Sequence, residues 1–268
     1  MGSRLVRRAL LCGLAGIVLP ARARAQTQPQ TQTQTQPGRR GFGNQLPSPP
    51  ANADQLPAEL FTYQSRGRPI RAAAYRPLGT PRGGVVLLHG SGGIGPEQLG
   101  LAQKFAGDGY LALVPTYLDA AQDDTVRGLP IMSAWRDCAI DAVTWLVEQG
   151  IAPERTGITG YSLGSFIAVD GALGGGVAAA AIGIAAGQEV YPLRRTRRTI
   201  PILLIRAGND RVVTARGTEM WREDLEEANV PVRVQVVRGA GHLMNRAQWD
   251  AVYDRALNFF NGTIGRVP

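Results

Sequence analysis

Cysteine is almost absent from this chain: of 268 residues, only Cys12 and Cys138 carry a thiol. Cys12 falls in a leader that is expected to be removed. One remaining thiol cannot close an internal disulfide, so stability has to come from a packed core. Cys138 shares a helical run with Trp135, Ala139, Ala142 and Leu146, which reads as buried packing. Histidine is equally scarce, with His89 and His242 alone. No grouping of His, Cys and acidic residues has metal-ligand spacing, so no metal is expected. The glycine-rich loop at 90–95 lacks the Gly-Lys-Ser/Thr ending of a phosphate-binding loop, and no nucleotide or other cofactor is expected. The apolar run from Ala9 to Leu19 is too short to span a bilayer.

That run has a different meaning. Arg4, Arg7 and Arg8 precede it, Pro20 breaks it, and Ala23-Arg24-Ala25 offers a small-x-small cleavage site before Gln26. Residues 1–25 therefore read as an export signal, using the general secretory or the twin-arginine route. The formal net charge of +8 is inflated by this leader. Arg4, Arg7, Arg8, Arg22 and Arg24 stand there without an acid, and removing these five leaves +3, a weak case for nucleic acid. The expected protein is periplasmic or secreted, with no nucleic-acid partner and no stable membrane insertion.

Residues 26–57 alternate Gln and Thr and then turn rich in Gly, Pro and Asn. Nothing in them can bury a core, so they are expected to form a disordered linker. The folded domain is expected over 58–268. Phe61 to Gln64 and Ile70 to Tyr75 suggest a hairpin around Ser65-Arg66-Gly67-Arg68. Gly84 to Leu88 is a continuous apolar run, as expected of a strand buried on both faces. Helical and strand-like segments then alternate. Helices are expected over Pro96 to Gly107, Ile131 to Glu148, Leu163 to Leu173, Thr214 to Ala228 and Arg246 to Phe260. Strands are expected over Tyr110 to Val114, Thr156 to Thr159, Val177 to Ile184, Ile200 to Arg206 and Val232 to Val237. The alternation implies an α/β fold: a mostly parallel twisted sheet with helices on both faces. The segment between the strand ending at Ile184 and the strand beginning at Ile200 is short and lacks an obvious helical cap, so no large cap domain is expected.

The chemistry gathers at Gly160-Tyr161-Ser162-Leu163-Gly164. A G-x-S-x-G placed between a strand and a small-residue helix is the nucleophile elbow of a serine hydrolase. A serine hydroxyl is a weak nucleophile and needs a base. His242, in a glycine-flanked loop after the last strand, is the candidate; His89 reads as structural, shaping the glycine loop that follows it. Asp210, after the penultimate strand, is the candidate partner that orients the imidazole, with Glu189 and Asp170 as weaker alternatives. The order Ser162, Asp210, His242 is that of α/β-hydrolases. Oxyanion donors are expected from the backbone of Leu163 and of Ser91, with Gly92 as the alternative to Ser91. Tyr117, Tyr161, Met244 and the 117–130 loop are expected to rim the substrate site. The basic run Arg194-Arg195-Thr196-Arg197-Arg198 reads as a solvated surface stretch or a contact for an acidic polymer.

Four stretches carry a family resemblance: Gly67-Arg68-Pro69-Ile70 with Tyr75-Arg76-Pro77; Val85 to Gly93; Gly109-Tyr110 through Pro115; and Pro153-Glu154-Arg155-Thr156-Gly157 leading into the elbow. Over residues 60–262 the chain resembles the dienelactone hydrolase family of α/β-hydrolases. The family's namesakes carry cysteine as nucleophile where this chain has Ser162. The resemblance thus implies a general carboxylic-ester or lactone hydrolase working through an acyl-enzyme, and a fairly open site without a cap is expected to suit small or polymeric esters better than long lipids. The rival readings are an acyltransferase or peptidase on the same triad, and a non-catalytic envelope-binding module.

Overall fold

The computed structural model describes residues 46, 56–121, 128–187 and 196–264. The expected export signal, nearly all of the expected linker, and the candidate acid Glu189 lie outside the described residues. Strands β1 (Ala58–Ser65) and β2 (Arg68–Tyr75) form the expected hairpin. They are followed by β3 (Gly83–Leu88), α1 (Pro96–Gly107), β4 (Tyr110–Pro115), α2 (Leu129–Glu148), β5 (Thr156–Tyr161) and α3 (Leu163–Gly174). The chain continues through β6 (Ala180–Ile184), β7 (Ile202–Ala207), α4 (Ala215–Glu227), β8 (Val232–Val237) and α5 (Arg246–Thr263). One eight-stranded sheet results, in the order β1-β2-β4-β3-β5-β6-β7-β8. The hairpin pairs antiparallel and every pair from β4–β3 to β7–β8 is parallel.

Side-chain alternation along the strands builds two cores. In β3, Val86 and Leu88 point to one face, into a core shared with Trp135 of α2, Phe166 of α3 and Trp221 of α4. Val85 and Leu87 point to the other, where Phe105 of α1 and Phe260 of α5 pack. A strand covered on both faces must be apolar throughout, and all six residues of β3 are buried. Each fully buried Val, Leu or Phe contributes about 1.5–3 kcal/mol relative to exposure, so these layers are what hold β3 and β5 rigidly at the centre. Cys138 is part of the first layer. Its thiol lies 3.1 Å from the Tyr63 hydroxyl, and burial pushes its pKa up to about 12, as suits an inert packing residue.

Two boundaries differ from the sequence expectation for identifiable reasons. Helix α2 begins at Leu129, ahead of Pro130, because a proline in the first helical turn replaces an N–H that would have no partner anyway. Strand β6 begins at Ala180 and not at Val177, since the carbonyls of Gly176 and Ala178 are taken by the guanidinium of Arg198. Arg198 also reaches Ala172 O, at 3.3 Å. It therefore closes the end of α3 and does not belong to a solvated basic stretch. Arg194 and Arg195 lie outside the described residues.

Candidate active site

The elbow sits at the carboxyl end of the central strand β5. Ser162 joins β5 to α3 with φ 52° and ψ −121°, a conformation that costs a non-glycine residue roughly 1–3 kcal/mol. The neighbouring glycines permit it. A Cβ on Gly160 would lie 2.0 Å from the Gly164 carbonyl oxygen, and one on Gly164 would lie 2.4 Å from the His89 carbonyl oxygen. Strand, turn and helix can only pass this closely when both residues are glycine. The Ser162 amide donates to Ile184 O at 2.9 Å, tying the strained turn to β6.

Three expected residues meet here. Ser162 Oγ lies 3.0 Å from His242 Nε2, and His242 Nδ1 lies 2.8 Å from Asp210 Oδ2. The other oxygen of Asp210 accepts the amides of Val212 at 2.8 Å and Val213 at 2.9 Å. With both oxygens engaged, the carboxylate is fixed in rotation, its side chain 1% exposed. Its loop is also tied to the histidine loop, since Asn209 N–H donates to Ala240 O at 2.7 Å. The bond from Nδ1 to a carboxylate leaves Nε2 unprotonated and facing the serine, as a general base requires. Asp170, the weaker alternative, is instead buried in an ion pair with Arg136 of α2.

The glycine loop after β3 closes over the serine. Gly93 N–H donates to Gly90 O at 3.1 Å, while the amides of Ser91, Gly92 and Leu163 have no loop or turn partner among the described residues. Those three amides are the available oxyanion donors, with Leu163 N–H at the first turn of α3. Gly90, Gly92 and Gly95 do have the G-x-G-x-x-G spacing of a dinucleotide loop, so the expectation of no nucleotide, which took that pattern as absent, loses that ground. In this fold the loop packs on the elbow: a Cβ on Gly90 would lie 3.2 Å from the Tyr161 ring and 3.4 Å from Ser162 Cβ.

Tyr117 does not rim the site. The chain leaves β4 through a single 3-10 turn, Tyr117–Ala120, which rotates the ring into the core, where it is fully buried. Its hydroxyl donates to His89 O at 3.0 Å and its ring lies 4.6 Å from the His89 ring. His89 is likewise fully buried, its Nδ1 is 2.8 Å from Gly90 O, and burial lowers its pKa to about 4. These two residues support the glycine loop from beneath.

Tyr161 and Met244 do line the site, a cavity of about 450 Å³ in front of Ser162 and His242. Tyr161 has a second role. Its hydroxyl donates to His242 O at 2.6 Å, and its ring lies 5.4 Å from the His242 ring and 5.2 Å from Trp249. Burial raises its pKa to about 12, so it stays a donor. Trp249, on the first turn of α5, lines the cavity and was missed by the sequence reading. Its signal was available: Asn245 and Gln248 form a reciprocal helix cap, which fixes where α5 starts relative to His242.

An eight-stranded, mostly parallel sheet with a serine elbow after its central strand β5, an aspartate delivered from the end of β7 and a histidine from the end of β8, defines an α/β-hydrolase. Comparison with known proteins agrees. A dienelactone hydrolase from Anabaena variabilis is similar at TM-score 0.62 and 20% identity, over 78% of this chain and 99% of that one. A dienelactone hydrolase-like promiscuous phosphotriesterase from metagenomic libraries is similar at TM-score 0.67 and 16% identity, over 78% of this chain and 99% of the other. A puromycin-hydrolyzing peptidase from Mycobacterium tuberculosis has TM-score 0.59 and 20% identity, over 80% of this chain and 41% of that one. No curated protein matches in sequence. The sequence profile of the dienelactone hydrolase family matches residues 70–258, well over half the chain. The chain belongs to the dienelactone hydrolase family.

Proposed function

We propose that the protein is an exported serine hydrolase that cleaves carboxylic esters or lactones through Ser162, His242 and Asp210 and an acyl-enzyme. The observation that carries this reading is the unbroken line from Asp210 Oδ2 through His242 to Ser162 Oγ, with spacings of 2.8 and 3.0 Å. In the first half-reaction His242 Nε2 takes the Ser162 proton as Oγ bonds to the ester carbonyl carbon. The carbonyl oxygen gains the negative charge and sits against the Leu163 and Ser91 amides. Asp210 stabilises the imidazolium without itself taking the proton. Collapse of this intermediate breaks the carbon–oxygen bond to the alcohol, which leaves with the proton from His242. In the second half a water gives its proton to His242 and its oxygen to the acyl carbon. Collapse then frees the acid and returns the proton to Ser162.

Export rests on the basic, apolar and small-residue pattern of residues 1–25, and the linker and catalytic-domain boundaries on the change of composition near residue 58. The substrate is a small-molecule or polymeric ester.

Hydrolysis of 4-nitrophenyl esters by wild type and by Ser162→Ala tests the enzyme reading. The expected result is hydrolysis by wild type and a fall of about 10⁴-fold or more in the variant. Equal rates from two folded proteins would instead favour a non-catalytic binding module. N-terminal sequencing of the protein recovered outside the cytoplasm tests export, with Gln26 expected as the first residue.

A further inference from the structure

The site cavity does not end at the elbow. A second, larger cavity of about 730 Å³ lies between α1, α5 and the hairpin. The two share four wall residues, Pro96, Glu97, Met244 and Trp249. Both volumes fall in the range of about 300–1,000 Å³ typical of small-molecule sites. The smaller holds Ser162 and His242, and the larger holds no part of the triad.

The larger cavity has a mixed wall, in which Tyr75, Leu99, Leu101, Met244 and Trp249 supply the apolar part and Gln103 and four charged residues the polar part. Its charged residues are two acids, Glu97 and Asp250, and two bases, Lys104 and Arg246. Lys104 and Asp250 are ion-paired with each other, so the compartment has no net charge to recognise an ion. Gly100 lies mid-way along α1 on its wall, and a Cβ there would meet no atom within 4 Å. A glycine inside a helix costs about 1 kcal/mol relative to alanine. Here no close approach of backbone requires it, and it leaves the compartment wide.

We infer that the natural ester is asymmetric and uncharged. One small half reacts over Ser162, and one bulky apolar half, of aryl or branched-alkyl character, lies past Met244 and Trp249 in the compartment beside Gly100. This inference rests on the esterase reading above and adds the substrate class. Trp249 stands at the junction and gives the bulky half a rigid face to pack on.

The test uses the full chain and two pairs of esters. In the first pair the leaving group is constant: 4-nitrophenyl acetate against 4-nitrophenyl 4-phenylbutanoate. In the second the acyl group is constant: methyl acetate against 2-(2-naphthyl)ethyl acetate. The expected result is a gain of about tenfold or more in kcat/KM for the bulky member of at least one pair. Gly100→Phe, a change that raises helix propensity, should fill the compartment and abolish that gain. The small member of the pair should change by less than about twofold, because Gly100 does not line the site cavity. No gain in either pair overturns the inference, as does a gain that survives Gly100→Phe. Hydrolysis of the small esters, lost in Ser162→Ala, reports separately on the esterase reading. If the small and bulky esters are all inert, that reading fails and this inference falls with it.

Discussion

His89 and His242 stand on the same edge of one sheet, and only one of them can serve as a base. His89 follows the last residue of β3 and is fully buried; its Nδ1 is bound to Gly90 O and its Nε2 has no hydrogen-bond partner among the described residues. His242 lies between a fixed carboxylate and a serine hydroxyl and is partly open to the cavity. A general base needs a charge behind it to stabilise the imidazolium, and a proton donor in front. His242 has both. His89 has neither, and burial makes its charged form costly, which leaves it neutral at pH 7 with Nδ1–H as a fixed donor. The role of each histidine is thus set by its partners and not by its place at a strand end.

The largest expected effect separates the two directly. His242→Ala should lower kcat/KM on a nitrophenyl ester by about 10⁴-fold or more, with the thermal midpoint little changed. Asp210→Asn should keep the geometry yet favour the wrong tautomer, and should lower kcat by about 10³–10⁴-fold. For His89 the expected effect is on stability. Folding lowers its pKa from 6.5 to about 4, so the unfolded chain binds the proton more readily. Its contribution is fully present above pH 6.5, is lost as pH falls towards 4, and is flat below. The span of that window is about 3 kcal/mol. Denaturant unfolding at a series of pH values should show this slope in wild type and a flatter one in His89→Phe. The smallest effect sharpens the His242 side. Tyr161→Phe keeps the ring but loses the 2.6 Å bond to His242 O. It should reduce kcat by roughly three- to tenfold, the worth of one hydrogen bond, with KM nearly unchanged.

The sequence was informative where chemistry and local pattern coincide. Strand and helix alternation is enforced by burial on both faces, so runs such as Gly84 to Leu88 declared the parallel sheet. Ser162 was legible because only glycine fits on either side of so tight a turn. Asp210 and His242 were legible because the topology sends each strand's end to the same edge. Tyr117 was misread because the direction of its side chain depends on a 3-10 turn that no residue pattern announces. Arg198 looked like surface charge, and only the folded chain shows the three carbonyls it satisfies. Trp249 and the larger cavity arise where α1 and α5 come together, and contacts between segments so distant in sequence have no local signature.

Covalent trapping of the nucleophile tests the central claim most directly. Wild type and His242→Ala would be exposed to a fluorophosphonate, and the labelled peptide would be identified by mass spectrometry with time. The account predicts one adduct per chain, on Ser162, that forms at least about 10³-fold more slowly without His242. Labelling at another residue, or equal rates in the two proteins, would contradict it.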